Sequence, residues 1–124
     1  MSVKYMCLLV GTGDIQGPTP GSAEFDQMLA EYGTVTQAMV EAGVFVHGDP
    51  LEPAATATTV RVRDGERLLT DGPFAEIKEQ LGGYYVLDCP DLDSALEWAS
   101  KIPAARFGAV EVRPISAITE AATR

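Results

Sequence analysis

The chain has 124 residues, 46% of them hydrophobic and 22% charged, with a net charge of −9 at pH 7 and a pI near 4.4. That length makes a single domain, residues 1–124, able to bury roughly two thirds of the surface its unfolded form exposes. An acidic field of this size repels phosphate backbones and anionic lipid, so neither nucleic acid nor membrane is an expected partner.

Residues Val3 to Val10 form an apolar run ended by Gly11. Both alternating sets, Tyr5, Cys7, Leu9 and Met6, Leu8, Val10, are apolar, which predicts a strand covered on both faces. The run is too short for a signal h-region or a membrane span. Gly11-x-Gly13 lacks the third glycine of a dinucleotide-binding loop, since Gln16 stands there, and it reads as a plain loop. Ser22 is the N-cap of an amphipathic helix, with Glu24 and Asp26 in the first turn and Gly43 at its end. Phe25, Met28, Leu29, Tyr32, Val35, Thr36, Met39 and Val40 repeat at three-and-four spacing and mark its inner face, Thr36 as a packing position and not as a site residue.

Val44 to His47 is a second strand. Thr58–Arg63 and Glu66–Thr70 read as a hairpin around the Asp64-Gly65 turn. Gly72-Pro73 makes the next turn, and Gly83 to Cys89 is the following strand. Asp91 caps a second helix with Leu92, Ala95, Leu96, Ala99 and Ile102 inward and Pro103 past its end. Ala109 to Ile115 is the last strand; residues 1–2 and 116–124 read as frayed ends. Cys7 and Cys89 sit in apolar strands, as buried, reduced thiols of a cytoplasmic protein would.

This order predicts an α+β fold: a ferredoxin-like antiparallel sheet, two helices on one face, and an inserted β-hairpin. Two helices cover only one face of the sheet, yet the first two strands are apolar on both. The uncovered face calls for a second copy, giving a homodimer whose sheets enclose a barrel-like space.

Thr70-Asp71-Gly72-Pro73-Phe74-Ala75-Glu76, Lys78-Glu79-Gln80-Leu81-Gly82-Gly83-Tyr84-Tyr85, Ala95-Leu96-Glu97-Trp98-Ala99 and Val110-Glu111-Val112-Arg113-Pro114 together resemble the DGPF branch of the YCII-related proteins. The likeness runs from about Lys4 to Ile115. It implies the ferredoxin-like fold and the dimeric α+β-barrel superfamily. Some relatives act on small aromatic or chlorinated compounds with a His–Asp dyad on the first helix and the turn after it. Here Tyr32 and Glu41 stand near those places, so the dyad does not carry over. Genes of DGPF proteins often lie beside those of extracytoplasmic-function sigma factors, which makes a sigma factor the alternative partner and a regulatory module the alternative function.

Asp71, held at a strand end by Gly72-Pro73, reads either as a turn cap or as a general base. His47 reads as a local strand-end hydrogen-bonder or as an acid–base group, with Asp49 two residues on to orient its ring. Arg61 and Arg113, with Arg63 and Glu111, lie on wetter strand faces, either as cross-strand ion pairs or as a clamp for an anionic ligand. Of Tyr84 and Tyr85, on opposite faces of one strand, one belongs to the core and the other to a pocket. Phe74 is expected to plug its turn into the core or line the site; Lys78 and Glu79 cap a turn or pair across the dimer. One histidine among scattered acids is a poor metal set, and no cofactor is expected. The resulting expectation is a dimeric small-molecule-binding protein or small acid–base enzyme for an organic, including aromatic, ligand.

Overall fold

The computed structural model describes residues 2–11, 17–74 and 80–117. Its main sheet is antiparallel, with strands β1 (Val3–Gly11), β2 (Phe45–Pro50), β5 (Gln80–Cys89) and β6 (Gly108–Pro114) in the order β2-β5-β1-β6. Strands β3 (Thr58–Arg63) and β4 (Glu66–Asp71) pair separately as a two-stranded ribbon. Helices α1 (Ala23–Glu41), α2 (Leu92–Ser100) and α3 (Ala104–Phe107) complete an α+β architecture consistent with a ferredoxin-like fold.

The two central strands carry the core. Tyr5, Cys7 and Leu9 of β1 and Tyr85, Leu87 and Cys89 of β5 are buried. They pack with Val35 and Met39 of α1 and with Ala95 and Ala99 of α2. On the opposite face Met6, Leu8, Val10, Tyr84 and Val86 are only half-buried, and no helix among the described residues covers them. The alternation of period two thus produces one sealed face and one open apolar face.

Both long helices begin as their sequences dictate. The Ser22 hydroxyl accepts the Phe25 N–H at 3.1 Å, and the Asp91 carboxylate accepts the Ser94 N–H at 2.8 Å. Gly43 ends α1 with φ of 76°, a conformation open to glycine at little cost. Cys7 and Cys89 are buried free thiols. Burial, then the neighbouring Cys89, pushes the Cys7 thiol up to about 11.

Several element limits differ from the sequence expectation. Strand β2 continues through Gly48-Asp49-Pro50, and β5 begins at Gln80. As an edge strand, β2 accommodates a terminal proline without losing a ladder donor. Helix α3 and a single 3-10 turn at Ala54–Thr56 are additions, too short to register as periodic patterns. Arg106 of α3 donates to Glu31 of α1 at 2.7 Å and ties the two helices together. Phe74 does not plug into the core. It is 73% exposed, since its turn stands at the foot of the ribbon. Of the ends expected to fray, residues 1 and 118–124 lie outside the described residues.

Candidate functional site

A β-bulge in β2 decides where its polar side chains go. Phe45 lies opposite Leu87 on the helix side, but the next registered pair is His47 with Val86. The extra residue, Val46, brings His47 onto the open face, and Asp49 follows opposite Tyr84. Three polar side chains from two adjacent strands therefore meet at one end of the sheet.

They form a closed ring. The Tyr84 hydroxyl is 2.9 Å from His47 Nδ1 and 3.3 Å from Asp49 Oδ2, and His47 Nε2 is 3.1 Å from Asp49 Oδ2. The rings of His47 and Tyr84 lie 5.4 Å apart. Partial burial, then the charge and hydrogen bond of Asp49, push the Tyr84 phenol above its ordinary value.

Proton counting shows what the ring can do. With neutral His47, Nε2–H donates to Asp49 and the one Tyr84 proton serves either Nδ1 or Asp49, so two of the three contacts are bonded. With charged His47, Nε2–H donates to Asp49, Nδ1–H to the Tyr84 oxygen, and the Tyr84 O–H to Asp49. The ring takes up one proton and gains one hydrogen bond. Exposed ion pairs of this kind add little stability.

Beside it is a cavity of about 400 Å³ between α1 and the β2–β5 end of the sheet. Met28, Leu29, Leu9 and Phe45 supply apolar wall. Tyr32, Thr36 and Tyr85 bring hydroxyls, and those of Thr36 and Tyr85 are 2.8 Å apart. Burial, then Tyr85, raise the Tyr32 phenol above its usual range. Asp49 and Tyr84 belong both to the cavity lining and to the ring.

The other residues singled out in the sequence are spread over the molecule. Asp71 ends β4, exposed and opposite Thr58, in the ribbon rather than the main sheet. The carboxylate paired with His47 is that of Asp49. Arg61 lies opposite Leu68 on the ribbon. Arg113 lies on β6, 3.8 Å from Glu111, in the same cross-sheet row as His47, Val86 and Met6. His47 and Arg113 thus stand on opposite edges of the sheet, three strand spacings or about 14 Å apart. Tyr84 lies on the open face of β5 and Tyr85 on the helix face, where it is buried in the core; both contribute to the cavity lining, so the two are not divided into one core and one pocket residue. Lys78, with Glu76 and Glu79, lies outside the described residues. Among the described residues no three His, Cys, Asp or Glu side chains gather as a metal set, and no helix is long and apolar enough to cross a membrane.

Thr36 is the site residue that the sequence did not single out. Its signal was weak: one hydroxyl on the inner face of an otherwise apolar helix.

An α+β protein with an antiparallel sheet and a cavity beneath its first helix is the class these features define. The model of the YCII-related domain matches residues 3–119, and the chain belongs to that family. It is 40% identical over 95 residues to an uncharacterized protein of Rhizobium meliloti (strain 1021), a match covering 75% of this chain and 77% of that protein.

Proposed function

We propose that the protein is a homodimer in which each chain binds a small organic molecule, an aromatic one of phenol or benzoate size, in the cavity under α1. The observation that carries this reading is the cavity itself. Its about 400 Å³ falls within the range of small-molecule sites, and apolar walls with a few converging hydroxyls are their usual lining. Tyr32, near the position where the family resemblance would put histidine, is part of that lining. Of the His47–Asp49–Tyr84 ring, which stands on the open face of the sheet, Asp49 and Tyr84 also reach the lining of this cavity.

The dimer reading is supported by the open apolar face of the sheet. Met6, Leu8, Val10 and Val86 make a continuous patch across β5 and β1, with Asp88 and Lys4 paired in register at its end. A second copy laid sheet to sheet covers the patch.

A thermal-shift and calorimetric titration with phenol and 4-hydroxybenzoate tests the ligand reading. A ligand at a hundredfold excess over its Kd stabilises the fold by about 2.7 kcal/mol. Thr36→Val removes one hydroxyl and Met28→Trp fills the space; each should weaken binding tenfold or more while leaving the circular dichroism spectrum unchanged. Identical titrations for wild type and Met28→Trp would refute the cavity as the site.

A further inference from the structure

We propose that the β3–β4 ribbon is an arm that lies on a second copy of this chain, so that the space around His47, Asp49 and Tyr84 is walled by residues from both copies. The inference rests on the sheet-to-sheet dimer proposed above.

Among the described residues the ribbon has no substantial packing on another strand or helix of its own copy. A two-stranded ribbon alone is marginally stable in water. Its register places Val60 opposite Leu69 and Val62 opposite Arg67 on one face. The middle of that face is apolar and bare, Val60, Val62 and Leu69 being 57%, 61% and 58% exposed, with Arg67 beside Val62 and Thr58 and Asp71 at the foot, where Phe74 is also exposed. The other face is mostly polar, with Arg61, Arg63, Glu66 and two threonines around Leu68. Polar-out, apolar-bare ribbons are stable when something covers the apolar side.

Charge and position point to a second copy as the cover. Arg61, Arg63 and Arg67 balance Asp64, Glu66 and Asp71, so the ribbon is neutral and the chain's net charge of −9 resides elsewhere. A neutral apolar arm is the part of an acidic protein that approaches another acidic copy with least repulsion. The arm is also rooted at the proposed site. Leu51 N–H donates to Gly82 O at 2.9 Å beside the Asp49–Tyr84 pair, and at the foot Gly72 N–H donates to Ala57 O at 2.7 Å. Six-residue arms extend about 20 Å. That exceeds the roughly 14 Å between the outer strands of the main sheet, enough to reach the seam from the sheet end. Arg67, near the tip of the arm, then becomes a wall residue for the other chain, while Asp71, at the foot, stays with its own.

The test places a nitroxide on Val62→Cys, an exposed position; the buried Cys7 and Cys89 do not compete for the label. Labelled protein is mixed with isotope-enriched wild type, and only enriched amides are observed. Broadening at Met6, Leu8, His47 and Val86 of the enriched copy is the expected result. A dimer by sedimentation with no such broadening, or with broadening confined to α1 and α2, overturns the arm and leaves the dimer standing. A monomer near 13.2 kDa overturns both. The double variant Val60→Asp, Leu69→Asp gives an independent reading: it should raise the dimer Kd at least tenfold, and an unchanged Kd counts against the arm.

Discussion

At the scale of single residues, the informative feature is that one carboxylate oxygen, Asp49 Oδ2, meets both His47 and Tyr84. Its charge helps to keep the Tyr84 phenol protonated to higher pH than usual. Asp49→Asn removes that charge and keeps the shape. The Tyr84 titration, followed by tyrosinate absorbance against a Tyr84→Phe control, should then move down in pH. The sign follows from linkage: a phenol raised in the folded state favours folding while protonated, and this contribution disappears as pH climbs through its titration. An unmoved titration would mean that burial alone sets it.

At the scale of elements, the core and the ribbon respond differently to the same kind of truncation. Met39 is fully buried between α1 and the sheet, so Met39→Ala should cost about 2–5 kcal/mol in urea unfolding. Leu69→Ala, on the bare ribbon, should cost less than about 0.5 kcal/mol in protein dilute enough to be monomeric. The contrast reflects what the sequence could reveal. Helices α1 and α2 were legible from their caps and their three-and-four spacing, and β1 and β5 from apolar runs. The bulge at Val46 was not, since nothing in Phe45-Val46-His47 marks an extra residue. Without it, strict alternation puts His47 on the wrong side of β2. The cavity was hidden for another reason: Tyr32, Thr36 and Tyr85 are far apart in the chain, and only the packing of α1 on β5 unites them. Phe74 was misread because an aromatic beside a turn usually finds apolar cover, and among the described residues the ribbon's foot offers none.

At the scale of the whole molecule, charge opposes the proposed pairing of copies. Each carries −9, so association should tighten as added salt screens the repulsion over a Debye length of about 10 Å at 0.1 M. Sedimentation equilibrium from about 0.02 to 0.2 M salt checks this; weakening with salt would instead show that ion pairs dominate the contact. The position of the hollow under α1 has a further consequence. It lies mainly on the helix side of the sheet, so in the proposed dimer guest molecules need not part the two copies to enter or leave. Saturation should therefore count chains, at one guest per chain with a simple hyperbolic isotherm, and the assembly should neither loosen nor tighten as it fills.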